Sequence, residues 1–194
     1  MRTPLPVGTH LTLSAIGTQH QITVQIQELI GTGASCLVYT AVCRDGEQNE
    51  FYLRLKEFCP ENLHLIRQQD GSLLAADNAA FQRQMQGFIW GYQKQMQFRQ
   101  FPESCNSISN VQGVFAGNGT RYIAMNCQNS IPLEQQELSL YDTFRVLRAV
   151  AQQLDNLHQH GYPYLDLKPA NVLLYPETPE LVMLFDFDSV HPAV

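Results

Sequence analysis

Between His10 and Phe58 apolar and polar residues alternate in four successive runs, HLTLSAI, HQITVQIQELI, CLVYTAVC and EFYLRLKEF. A period of two is the signature of strands that bury one face. Runs of this kind joined by short turns build an antiparallel meander. The last turn, RDGEQN, carries Asp45-Gly46, a pair suited to a tight hairpin. From Leu73 to Phe98 the period becomes helical, with Phe81, Met85, Phe88, Ile89, Tyr92 and Met96 on one stripe. FPESCNSISN then reads as a loop, and NVQGVFAGNGTRYIAMNC as a hairpin turning at Asn118-Gly119. After the connector SIPLEQQELS a second helix is expected, ended by Gly161. Its stripe is Leu140, Phe144, Leu147, Val150, Ala151, Leu154 and Leu157. Three short extended pieces follow, YLDL, NVLLY and LVMLFDF. This order of elements belongs to the α+β class.

Bulk properties narrow the function. The 194 residues suit one domain or two small lobes, and 44% apolar residues suffice for a core. A net charge of −6 offers no basic field to nucleic acid or to an anionic membrane. No apolar run reaches the ~20 residues of a membrane span, and the N-terminus lacks the pattern of a secretory signal. The cysteines Cys36, Cys43, Cys59, Cys105 and Cys127 form no C-x-x-C pair. They read as free thiols of a reducing, cytoplasmic compartment, and a zinc site is not expected.

Four stretches could carry chemistry. In IGTGASCLVY, Gly31 and Gly33 let backbone N–H groups approach phosphate oxygens, although two glycines also suit a plain hairpin. In FYLRLKEF, Lys56 and Arg54 share the strand face opposite Leu53 and Leu55, which could equally be a solvated face. DLKPAN sets Asp166, Lys168 and Asn171 within six residues. There a carboxylate can take a hydroxyl proton, an ammonium can neutralise a phosphate, and an amide oxygen suits a hard cation. The alternative is a polar turn. In LFDFD, Asp186 ends an apolar strand, and a buried Asp needs a cation or a partner. A hairpin through NVLLYPETPELVMLF would set Asn171 beside Asp186.

Taken in order, Gly31 and Gly33, Lys56, Asp166 to Asn171 and the triplet Asp186 to Asp188 resemble the serine/threonine-type protein kinase family. The likeness spans residues 23 to 190. It implies an antiparallel small lobe with one main helix, plus the first part of a mainly helical large lobe. Residues 1–22 would be an extension adding a strand pair, 23–128 the small lobe with phosphate loop and hinge, and 129–194 a partial large lobe. By likeness Gly31 and Gly33 cover the nucleotide phosphates, Val38 and Leu173 sandwich the adenine, and Lys56 holds the α- and β-phosphates. Met125 to Gln128, with Cys127, form the hinge. Asp166 is the catalytic base, Lys168 steadies the γ-phosphate, and Asn171 and Asp186 bind Mg²⁺. ATP, Mg²⁺ and a protein substrate are thereby implied.

The sequence departs from the family pattern in places. Cys36 stands for the third glycine, and Arg54 for a small residue over the adenine. The first-helix glutamate that pairs with the strand lysine has no counterpart, Gln93 being the nearest candidate. Tyr164-Leu165 replaces His-Arg, and Asp188 replaces the triplet's glycine. The chain reads as a C-terminally truncated domain whose second helix should pack against missing helices. A pseudokinase that binds nucleotide or acts as a scaffold, and a small-molecule kinase of the same fold, are the other readings. Lys168, two residues after the catalytic Asp, speaks against the last.

Overall fold

A computed structural model describes residues 2–44, 50–98, 111–126, 130–175, 178 and 182–187, with residues 95, 97 and 98 described in backbone only. Asp45-Gly46, the loop 101–110, Cys127, Gln128 and Asp188 lie outside the described residues. The chain divides into two compact units. One comprises Met1–Ile89 with Val111–Cys127, the other Trp90–Asn110 with Gln128–Val194.

The first unit holds strands β1 (His10–Ala15), β2 (Gln21–Thr32), β3 (Cys36–Arg44), β4 (Glu50–Phe58), β5 (Leu65–Arg67) and β6 (Leu73–Ala75). Helix α1 (Asn78–Phe98) follows, its residues up to Ile89 in this unit and the rest in the other, and then β7 (Val111–Gly117) and β8 (Thr120–Asn126) return to the first. Strands β1 to β4 form the expected antiparallel meander, and the order β1-β2-β3-β4-β8-β7 closes into a barrel. The N-terminal extension adds one strand to it, not a pair. Strand β1 bonds β2 on one side and β7 on the other, so it removes two sheet edges at once. Leu13, Ile26, Tyr39 and Leu55 fill the interior with no exposed surface. Asn118 (φ 48°) and Gly119 (φ 71°) make the tight turn between β7 and β8. A Cβ at Gly119 would lie 2.8 Å from the Leu73 carbonyl oxygen, so only glycine fits.

Helix α1 begins later than its period indicated. Leu73 to Ala75 pair with β5 as a hairpin. The Asp77 carboxylate then caps the helix by accepting the Ala80 N–H at 2.9 Å. The stripe Phe81, Met85, Phe88, Ile89 and Tyr92 is buried as expected, while Met96 is 37% exposed. Phe58 at the end of β4 meets the rings of Phe81 and Phe88 at 5.2 and 5.1 Å, which fixes α1 on that strand.

The second unit contains β9 (Ile131–Pro132), helix α2 (Leu140–Gln159), β10 (Val172–Leu174) and β11 (Val182–Leu184), with the three strands ordered β11-β10-β9. Ser139 caps α2 by accepting the Asp142 N–H, and Gly161 ends the turn after it at φ 77°. The buried face of α2 is Val146, Ala149, Val150, Gln153 and Leu157, rotated from the expected stripe. Leu140, Phe144 and Leu147 are 57–75% exposed. The helix packs on the small sheet through Val146, Ala149, Val150 and Leu157, which turns those three outward. The tetrapeptide YLDL is loop, not strand.

Candidate functional site

The candidate residues form two groups, one in each unit. In the first unit, strand register does the placing. Val38 lies opposite Lys56, and Lys56 opposite Ile123. One step along, Thr40 lies opposite Arg54, and Arg54 opposite Met125. Gly31 pairs with Val38. Cross-strand partners share a face, so Gly31, Val38, Lys56, Arg54 and Met125 occupy one side of the sheet. Leu53, Leu55 and Glu57 point the other way, into the barrel. Lys56 is 8% exposed and Arg54 half-buried, so this is no open solvated face. Gly33 begins the turn into β3, its N–H donating to Cys36 O at 2.9 Å.

Gln93 is the nearest sequence candidate to pair with the strand lysine. It is exposed, one residue and so about 100° off the buried stripe. That stripe carries no carboxylate.

In the second unit, DLKPAN forms a loop closed by its own side chains. Asp166 Oδ2 accepts from Lys168 Nζ and from Asn171 Nδ2, both at 2.8 Å. The same amide nitrogen donates to the Asp166 carbonyl at 2.9 Å. Two acceptors on one side fix the amide orientation, so the Asn171 side-chain oxygen is directed elsewhere. Pro169 opens a short 3₁₀ turn that brings Asn171 back to Asp166. The Lys168 ammonium, and secondarily the Asn171 amide, hold the Asp166 carboxyl below its ordinary value. Asp166, with Asp186 contributing, raises the Lys168 ammonium in turn.

The hairpin expected to bring Asn171 and Asp186 together is present. Val172 lies opposite Leu184, and the Phe185 N–H donates to Asn171 O at 3.1 Å. Asp186 follows at φ 65°, a left-handed conformation that costs a residue with a side chain. Leu173 is buried in β10 beside Pro132 and Met183. Its neighbours Val172 and Leu174 join the apolar core, so alternation turns Leu173 to the other face.

These residues suit a hard cation. Mg²⁺ takes oxygen ligands and needs few from the protein, because phosphates and water complete its shell. The fixed Asn171 amide, with its oxygen left over, and the Asp186 carboxylate are oxygen donors at one hairpin end. Among the described residues no cluster of three His, Cys, Asp or Glu marks a different metal site.

No protein-family model and no curated protein matches the sequence. Solved structures do. PpkA-294 in its apo form aligns with a TM-score of 0.71 at 25% identity, covering 96% of this chain and 62% of that one. The M. tuberculosis PknI kinase domain aligns at 0.56 and 22% identity, covering 95% and 62%. Vaccinia related kinase 3 aligns at 0.56 and 16%, covering 98% and 54%. The fold is that of a protein kinase. The chain therefore spans somewhat over half the length of the kinase chains it matches.

Tyr164 has a larger role in this kinase fold than its sequence position indicated. Its ring stands edge-on to Phe187 at 5.3 Å, and its hydroxyl donates to the carbonyl of Phe185, next to Asp186. It thus ties the DLKPAN segment to the LFDFD segment across 21 positions. The only sequence signal was a bulky aromatic two residues before Asp166.

Proposed function

We propose that the chain carries the nucleotide-binding and catalytic groups of a protein kinase that transfers the γ-phosphate of ATP to Ser or Thr hydroxyls of a protein. The observation that carries this reading is the closed set Asp166, Lys168 and Asn171, with Asp186 at positive φ at the neighbouring hairpin end. A polar turn needs no amide oriented by two bonds beside a hairpin end held at positive φ.

In this reading Gly31, Gly33 and Lys56 bind the phosphates, and Val38, Leu173 and the hinge residues Met125 and Cys127 take the adenine. Asn171 and Asp186 would hold Mg²⁺, which when bound neutralises the phosphate oxygens. Asp166 is ionised at neutral pH. It orients the substrate hydroxyl and accepts its proton as the oxygen–phosphorus bond forms and the bond to the ADP oxygen breaks. Lys168 offsets charge on the transferred group. The buried free thiol of Cys59 supports a reducing, cytoplasmic setting. The exposed Leu140, Phe144 and Leu147 on α2 support further helices in the whole protein, of the kind a large lobe supplies.

A nucleotide-binding pseudokinase is the second reading. One observation favours it: α1 contains no Asp or Glu. The deciding experiment is a thermal-shift titration with ATP, with and without Mg²⁺, followed by a phosphate-transfer assay with a generic Ser/Thr protein substrate. Mg²⁺-dependent stabilisation with transfer supports the kinase, and stabilisation without transfer supports the pseudokinase. No stabilisation in a chain that melts cooperatively sinks both.

A further inference from the structure

The turn between β2 and β3 is fastened at every carbonyl. Gly33 O accepts from Arg2 Nη1 at 2.7 Å. Ala34 O accepts the Glu61 N–H at 2.9 Å, and Ser35 O the Cys59 N–H at 3.0 Å. Cys36 O accepts the Gly33 N–H at 2.9 Å and Arg2 Nη1 at 3.3 Å. The same Arg2 nitrogen reaches Cys59 O at 2.7 Å. One guanidinium therefore joins the two ends of the turn to the chain just beyond β4.

Arg2 is itself held from behind. The Thr3 carbonyl accepts from Arg67 Nε at 2.7 Å, and the Leu5 N–H donates to the Tyr39 hydroxyl at 3.1 Å. Leu5 is 4% exposed and belongs to the barrel core. The arm is thus anchored in the barrel, and Arg2 is the part of it that touches the turn.

Carbonyl lone pairs repel phosphate oxygens, and backbone N–H groups attract them. A turn whose four carbonyls are committed to donors keeps its lone pairs from a bound phosphate. A turn already ordered also loses less entropy when a ligand settles on it. We propose that Arg2 is a positioning residue for phosphate binding, presetting the Gly33–Cys36 turn for the nucleotide. The proposal rests on the ATP-binding reading above and adds the N-terminal arm to it.

The test uses the full chain as wild type, Arg2→Ala and Arg2→Lys. Two quantities are measured: affinity for ATP with Mg²⁺, and amide hydrogen exchange at Gly33, Cys59 and Glu61 without nucleotide. Arg2→Ala should bind ATP roughly tenfold more weakly and exchange those amides roughly tenfold faster, with the barrel strands still protected. Arg2→Lys should recover part of both, since an ammonium can still donate to the same carbonyls. Unchanged affinity in Arg2→Ala, or unchanged exchange, overturns the proposal and leaves the ATP reading intact. So does loss of protection throughout the barrel with no recovery in Arg2→Lys, because that is a general folding role. A folded wild type that binds no ATP overturns both.

Discussion

Glu57 and Arg67 form a two-pronged ion pair inside the barrel, Nη1 to Oε1 at 3.0 Å and Nη2 to Oε2 at 2.7 Å, with side chains 0% and 4% exposed. The Tyr39 and Tyr122 hydroxyls donate to the same carboxylate at 3.0 and 2.9 Å. Every oxygen of Glu57 is thereby satisfied, which is the condition for keeping a charge in an apolar interior. Removing one partner leaves the other charged and buried. Arg67→Met should cost about 3–5 kcal/mol and lower the melting temperature on the order of 10 °C. Calorimetry checks this, and a loss under about 1 kcal/mol would mean that water reaches the Glu57 carboxylate.

The two carboxylates at the candidate site should separate by assay. Asp166→Asn should leave ATP affinity within about twofold and reduce transfer by roughly a thousandfold or more. Asp186→Asn should remove the Mg²⁺-dependent part of the ATP thermal shift. Because Lys168 holds the Asp166 carboxyl below its ordinary range, Asp166 stays ionised as pH falls through 5. Any acid limb due to it should lie below the usual carboxylate midpoint, and a midpoint near neutrality would assign the proton acceptor to another group.

Backbone strain at Asp186 makes a second prediction about the same position. Asp186→Gly should relieve the positive φ and leave stability unchanged or raised by up to about 1 kcal/mol, while still abolishing the Mg²⁺ response. Asp186→Ala should instead lose about 1 kcal/mol. Tyr164→Phe keeps the ring on Phe187 and loses the bond to the Phe185 carbonyl, for about 1 kcal/mol of stability. Denaturant unfolding of the three variants measures all of this, and equal stability of Asp186→Gly and Asp186→Ala would contradict the strain.

Alkaline pH should loosen the barrel. Burial, with Glu57 adding to it, pushes the Cys59 thiol up to about 11 and the Tyr39 and Tyr122 hydroxyls above their ordinary values. All three are acids whose folded form keeps the proton longer than the unfolded chain does. Their contribution is therefore complete below the ordinary value, 9.0 for Cys59 and 10.0 for the tyrosines, and is lost as pH rises above it. The melting temperature should fall on the order of 5 °C between about pH 8 and about pH 10.5. A flat profile would show that these groups ionise as easily folded as unfolded.

What the residue pattern alone determined was local. Alternation between His10 and Phe58 predicted β1 to β4, and the stripe from Phe81 to Tyr92 predicted the buried face of α1. The DLKPAN and LFDFD segments announced the hairpin that brings Asn171 beside Asp186. Such features are legible because period, turn chemistry and motif spacing act within a few residues. Tertiary structure decided the rest. Leu73 could serve a helix or a strand, and pairing of β6 with β5 chose the strand. Leu140, Phe144 and Leu147 read as core, yet α2 packs through Val146, Val150 and Leu157 and leaves them out. Arg2 reaches Gly33 across 31 positions, Tyr39 reaches Glu57 across 18, and Tyr164 reaches Phe185 across 21. No period encodes those pairs. They exist because closing the barrel and folding back the hairpin bring polar groups distant in sequence within reach of one another, and the buried ones must find a partner.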